Sequence, residues 1–347
     1  MSLKYLGGRS KKRKKYCKDG TKRSKKTGKC VKSRKKIKKK KKKKKRRKRR
    51  RTKKNKSKNT VKIEHHKNKK GESCGLGRDK DMQLPYTCYT KPALEKMKNI
   101  WNARHPDVKI NADRPYPIWM ALKKNMRSSC DKESCWLKKH WVQQKMNKKH
   151  LETTFATPQP GSWKRKPSEW LTSVDIMGVM RQLELGNKQF SFIGPSPIDF
   201  DEHELYGECV WEELCKFNLN SEINKGKKDI GIIFNLDTHD KPGSHWVAMY
   251  ISIPNKEICY FDSYGDKMPR RINKLAERIQ SQALNKGEQY KIKENKVRHQ
   301  YSDSECGMYC LYFIKSLLEG DSFQKFQKQK TPDLKMKQLR NIYFNKN

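Results

Sequence analysis

An α+β body preceded by a helical segment and a polycationic arm is the fold class the sequence predicts. Three observations lead to it: the charge sits at one end, the apolar pattern changes character twice, and the C-terminal half orders its elements as helix, strands, helix, strand, helix. The formal charge of the 347 residues is +49. Residues 1–70 hold 39 Lys/Arg against Asp19 and Glu64, a net of +37, while the other 277 residues carry only +12. Fourteen basic residues run without a break from Lys38 to Arg51. Like charges at that density repel and offer nothing to bury, so residues 1–70 are expected to be a disordered basic tail.

Residues 84–155 are expected to form a helical extension. "KPALEKMKNIWNAR" places Pro92 in a first turn and repeats apolar side chains at Leu94, Met97, Ile100 and Trp101, which is helix spacing. Further helices are expected over "PIWMALKKNM" and "CWLKKHWVQQKM". Cys130, Cys135 and His140 lie together here, but a zinc site wants a tighter cysteine pair and a second pair of ligands. Helix packing accounts for them better, and no metal or cofactor is expected anywhere.

After the Pro/Gly-bearing "TPQPGSWKRKPS", residues 163–347 change character. "EWLTSVDIMGVMRQLE" reads as an amphipathic helix and "FSFIGPSPIDF" as a strand interrupted by proline. "DIGIIFNL", "HWVAMYISI" and "EICYFD" are short, β-branched or aromatic, and bounded by turn residues, which marks core strands. "RINKLAERIQSQALNKG" is a helix stopped by Gly287, "YKIKENKV" a half-buried strand, and "CGMYCLYFIKSLLEG" an apolar helix stopped by Gly320. Because strands do not alternate regularly with helices, a doubly wound parallel sheet is excluded.

The eleven cysteines are odd in number and lack the spacing of a disulfide framework. The opening residues carry no apolar signal stretch, and no run approaches the ~20 apolar residues of a membrane span. Thiols in a reducing compartment are therefore expected, most of them buried and one reactive.

That one is Cys306. A thiol attacks as thiolate, and both a neighbouring imidazolium and a helix N-terminus favour the anion. Cys306 opens the apolar helix directly after "SDSE", whose Ser and Asp suit N-capping. Gly307 leaves the backbone beside it uncrowded for a substrate carbonyl, and Cys310, one turn on, reads as core. His245 begins one strand and Asp262 ends the next, so a hairpin brings both to one end of the ladder, where the carboxylate can orient the ring. Gln300, six residues before Cys306, can donate its amide to an oxyanion. Singly, each residue has an ordinary structural explanation. Four suitable types in this order and context do not. His203 and His239 lack that context and are expected on the surface.

"H-W" opening a strand, then "Y-F-D-S", then "Q-x-x-x-x-x-C-G", with "EWLTSVDI" upstream, resembles the SUMO-protease/adenovirus-protease family of cysteine peptidases. The similarity runs over roughly residues 163–320 and is nearest to the maturation proteases of large DNA viruses of the African swine fever virus type. It implies a papain-like fold in the permuted His-Asp-Gln-Cys order, with His245 as general base, Asp262 as its orienter, Cys306 as nucleophile and Gln300 in the oxyanion hole. It also implies that Trp246 packs beside the site, that Gly-Gly sequences are cut, and that viral precursor proteins are the substrates. The protein would then act in the virion and the host cytoplasm, at the virus factory, with entry to the nucleus allowed by its basic run. Two alternatives stay open: an isopeptidase that removes a ubiquitin-like protein, and a nucleic-acid-packaging virion protein with a vestigial protease fold. Gly7-Gly8 in "YLGGRS" is either a self-cleavage site or a flexible linker.

"YCKDGTKRSKKTGKCV", residues 16–31, resembles a short two-cysteine adaptor module of large DNA viruses, though two chance cysteines in a basic tail explain it nearly as well. In the basic run, Lys38, Lys42, Arg46, Arg47, Arg49, Arg50 and Arg51 are candidates for phosphate contacts through counterion release. Such binding would be non-specific, since the run has no interleaved aromatics for base stacking. The alternatives are a solvated tail or a nuclear localisation signal, but fourteen adjacent cations exceed what nuclear import requires, so nucleic-acid association is the preferred reading. No membrane partner is expected.

Overall fold

The computed structural model describes Cys17 and residues 21–27, 29–32, 66–69, 71–78 and 80–346. The basic run from Lys38 to Arg51 and the Gly7-Gly8 dipeptide lie outside the described residues. The chain divides into two compact units, Met1–Lys62 and Ile63–Asn347. In the first, β1 (Thr21–Arg23) pairs antiparallel with β2 (Cys30–Lys32), and a Cys17–Cys30 disulfide closes the segment.

The second unit begins with a helical layer. In α1 (Lys91–Arg104) the Thr90 side chain accepts the Ala93 N–H, Pro92 occupies the first turn, and Leu94, Met97, Ile100 and Trp101 are buried. They pack with Ile118, Trp119, Leu122 and Met126 of α2 (Pro115–Met126) in one apolar cluster. The third expected helix is broken. A 3₁₀ turn spans Glu133–Lys138, Lys139 is extended (φ −68°, ψ 127°), and α3 covers only His140–Gln143. Trp136, Leu137 and Val142 all bury, a set that no single helical stripe presents. After α4 (Lys148–Thr153), β3 (Thr157–Pro158) leads out of this layer.

The body opens with α5 (Ser173–Gly186), started by a reciprocal cap between Thr172 and Asp175. There follow β4 (Phe190–Ser196), α6 (Glu212–Cys215), α7 (Leu219–Asn224), β5 (Asp229–Asn235), β6 (Trp246–Ser252), β7 (Glu257–Phe261), α8 (Arg270–Leu284), β8 (Lys291–Glu294) and α9 (Cys306–Leu318). Then come α10 (Gln324–Lys328), α11 (Asp333–Tyr343) and β9 (Phe344–Asn345), which pairs in parallel with β3. The main sheet has the order β4-β5-β6-β7-β8, antiparallel at its two central pairings and parallel at both edges.

All seven residues of β6 are buried, because helices cover both faces of the sheet. Trp246, Ala248 and Tyr250 join α5, α9 and α11 in one core, while Val247, Met249 and Ile251 join α8 in the other. This is the expected α+β body. The register pairs Ala248 with Phe261, so His245 and Asp262, just beyond the paired residues, come to the same end of the ladder. Among the described residues no helix is long and apolar enough to cross a membrane.

The expectation of free thiols needs correction. Cys17–Cys30, Cys74–Cys88, Cys130–Cys135 and Cys209–Cys215 are disulfides, and only Cys259, Cys306 and Cys310 are free. The odd total misleads because it adds the three buried thiols of the body to four local pairs. Those pairs are 5 to 14 residues apart, joined across turns that the sequence does not place next to one another. Loops this short give roughly 2–3 kcal/mol of stabilisation each in the chain-entropy picture. The Cys130–Cys135 bridge also replaces the helix-packing explanation offered for that pair.

Candidate active site

His245 Nε2 is 2.9 Å from Asp262 Oδ1, and the two side chains are only 12% and 2% exposed. The same carboxylate oxygen accepts the Tyr264 backbone N–H at 2.8 Å, and the Tyr264 ring stacks on the imidazole at 4.8 Å. Asn295 holds the Asp262 backbone from both sides, accepting its N–H (2.9 Å) and donating to its carbonyl (2.8 Å). With Nε2 committed to Asp262, Nδ1 is the nitrogen left to face Cys306. Burial alone would push the imidazole toward neutrality. The hydrogen bond that Asp262 accepts, reinforced by its charge and by the neighbouring Cys306 side chain, outweighs burial and raises His245 to about 9.

Cys306 is 2% exposed at the first position of α9. The expected cap by Ser or Asp is not formed. Glu305 is the cap residue and makes no side-chain cap bond. Its carboxylate is instead held by Arg340 of α11, at 3.0 and 3.2 Å, with both groups buried. Arg340 also donates to the Glu169 carbonyl (2.8 Å) and lies over the Trp163 ring. The start of the Cys306 helix is therefore fastened to α11 and to the segment preceding α5. Nothing in the sequence order points to Arg340, 34 residues after the thiol.

Gln300 is fully buried on the loop before Cys306. Its carbonyl accepts from Ser263 Oγ (2.7 Å), and its amide nitrogen donates to the Ser302 carbonyl (2.5 Å) and lies 3.4 Å from Tyr264 Oη. The Ser263 carbonyl accepts the backbone N–H groups of both His299 and Gln300, which ties this loop to the end of β7.

Two expectations change in detail. Gly307 does not open the backbone to substrate: a Cβ there would meet the Leu171 side chain at 3.0 Å, so its glycine lets α9 approach the body. Trp246 packs in the same buried cluster as Cys306, with its indole N–H donating to the Leu171 carbonyl at 2.9 Å. At 8% exposure it presents little surface to a substrate, whereas Trp170, the chain neighbour of Leu171, is 43% exposed. The candidate phosphate-binding residues of the basic run lie outside the described residues. His203 is exposed as expected, and half-exposed His239 is bonded to Asp199 through Nδ1 at 2.7 Å.

A buried thiol at a helix start, an imidazole against it and a carboxylate behind the imidazole form a set suited to acyl transfer through sulfur. Residues 203–346 match the Ulp1 protease family, C-terminal catalytic domain. The domain is a thiol protease of the Ulp1 family. The chain is 29% identical over 278 residues to a protein of Acanthamoeba polyphaga mimivirus named as a thiol protease, across 74% of this chain and 89% of that one. It is 27% identical over 238 residues to a cysteine protease of African swine fever virus, across 64% and 86%. The crystal structure of an African swine fever virus protease superimposes with a TM-score of 0.56 at 22% identity, covering 79% of this chain and 96% of that one. The Ulp1-type fold with an N-terminal extension is thus common to both chains.

Proposed function

We propose that the Ulp1-family domain is an endopeptidase that cuts viral precursor proteins during virion maturation, with Cys306 as nucleophile. The observation that carries this reading is His245 hydrogen-bonded to Asp262, with the Cys306 side chain at the start of a buried helix favouring the charged ring. The Cys306 thiolate attacks the scissile carbonyl carbon, forming a C–S bond while the carbonyl oxygen takes the negative charge. Gln300 Nε2 donates to the Ser302 carbonyl and, over a longer 3.4 Å, to Tyr264 Oη; the longer bond is the one it would exchange for that oxyanion. The His245 imidazolium gives its proton to the departing amine. A water activated by the neutral imidazole then releases the acyl group from sulfur. The intact Asp262–His245 contact weighs against a vestigial fold.

Similarity to two virus proteins supports the virion setting, in the assembling particle and the host cytoplasm. Preference for Gly-Gly sites fits a thiol that is itself only 2% exposed, since residues without side chains reach it most easily. The basic run from Lys38 to Arg51 tethers the enzyme to packaged nucleic acid by phosphate contacts, close to substrates confined with it. The test is incubation of the full chain with virion precursor proteins, and separately with a ubiquitin-like protein joined to lysine, followed by sequencing of new amino termini. Cuts after Gly-Gly in precursors support the reading. Release of the ubiquitin-like protein alone would replace it with the isopeptidase alternative.

A further inference from the structure

Away from the active site, residues 199–215 carry Asp199, Asp201, Glu202, Glu204, Glu208, Glu212 and Glu213 and no Lys or Arg, in a chain of net charge +49. Within this acidic stretch His203 and Cys209 face each other in an antiparallel bridge, with the turn residues Tyr206 and Gly207 between them at positive φ. Cys215 ends α6 and returns to the same place. One ligand atom from each of His203, Cys209 and Cys215 lies within 4.8 Å of the others, and His203 Nε2 is 3.8 Å from Cys209 Sγ. With Zn–S near 2.3 Å and Zn–N near 2.0 Å, the N-to-S edge of a zinc tetrahedron is about 3.5 Å. The imidazole is thus already at nearly the separation from sulfur that a shared zinc ion requires.

We infer that His203, Cys209 and Cys215 form a zinc site when the Cys209–Cys215 disulfide is reduced. The two states exclude each other, because the bonded sulfurs have no thiolate to offer. Reduction by a dithiol transfers two electrons and two protons to the pair, giving two thiols, and the reductant closes to its own disulfide. Zn²⁺ then displaces the two thiol protons, and neutral His203 supplies the third ligand through Nε2, leaving one position for water. Two thiolates with an imidazole select zinc over magnesium or calcium, and the surrounding carboxylates raise the local cation concentration. The stretch meets the loop that ends at His245 through His239: its backbone N–H donates to Asp199 at 3.0 Å, its Nδ1 lies 2.7 Å from the same carboxylate, and its Nε2 lies 3.7 Å from Glu204. Either cross-link, disulfide or metal, would hold that stretch in place.

The inference does not depend on the protease assignment, and its test does not read activity. The full chain is reduced with a phosphine, which becomes its oxide, and titrated anaerobically with Co²⁺ as a spectroscopic stand-in for Zn²⁺. The same titration is run on His203→Ala and on Cys209→Ser/Cys215→Ser. Other reduced pairs can take metal too, so the difference between proteins is the readout. The wild type should bind one equivalent more than the double variant, with tetrahedral d–d and thiolate-to-cobalt bands, and His203→Ala should lose that equivalent or hold it at least about tenfold more weakly. The untreated, oxidised chain should lack it. Equal stoichiometry and equal spectra in the three reduced proteins would overturn the site. Because His203 is exposed, His203→Ala keeps the test decisive even if the double variant folds poorly.

Discussion

Replacing Asp262 with Asn keeps the shape of the side chain and removes its charge from His245. Raising the imidazole from 6.5 to about 9 corresponds to about 3 kcal/mol of preference for the imidazolium. That preference survives an opposing burial contribution, and the Asp262 hydrogen bond is the foremost of the interactions that produce it. Losing most of it, about 2–3 kcal/mol, predicts a fall in kcat/KM of roughly 30- to 150-fold near neutral pH. The alkaline limb of the pH–rate profile, where the imidazolium loses its proton, should move from about 9 toward the ordinary histidine range. Stability follows the same sign. A folded value above the unfolded one stabilises fully below about pH 6.5, and that contribution is lost as pH rises through about 9. In Asp262→Asn this alkaline loss should flatten. The assay is kcat/KM for a fluorogenic Gly-Gly peptide across pH, alongside urea unfolding at the two ends of the range. An unchanged alkaline limb in the variant would refute the claim that Asp262 holds the proton on His245.

Arg340→Leu leaves the Glu305 carboxylate buried without its cation, and should lower the unfolding free energy by about 3–5 kcal/mol in denaturant titration. Gly307→Ala forces a methyl against Leu171 at 3.0 Å and should cost about 1–3 kcal/mol, read as a lowered Tm. Deleting residues 1–62 should abolish most salt-dependent DNA binding while leaving peptide cleavage intact, measured by fluorescence anisotropy at two salt concentrations and by peptide hydrolysis.

The sheet and the site are legible where local chemistry and final position agree. β5, β6 and β7 announce themselves by β-branched runs between turns, and the hairpin they imply is what brings His245 to Asp262. The thiol announces itself by opening an apolar helix. What stays hidden depends on contacts between distant residues. Arg340 reaches Glu305 only because α11 packs across the start of α9, and Gly307 is matched to Leu171, more than a hundred residues earlier. The helix expected over residues 135–146 has the right composition, but tertiary burial of Trp136, Leu137 and Val142 together breaks it. Four cysteine pairs likewise need turns whose closure the spacing does not reveal.

The central claim is that Cys306 is the residue that bonds to substrate. The direct measurement is mass spectrometry of the full chain after exposure to a peptide whose Gly-Gly carboxyl end is replaced by a vinyl methyl ester. Cys259, pushed up to about 12 by burial, and Cys310, raised well above its usual value by burial, should stay unmodified. The account predicts a single adduct on Cys306, much slower labelling in His245→Ala and none in Cys306→Ala. An adduct of equal yield in Cys306→Ala would contradict it.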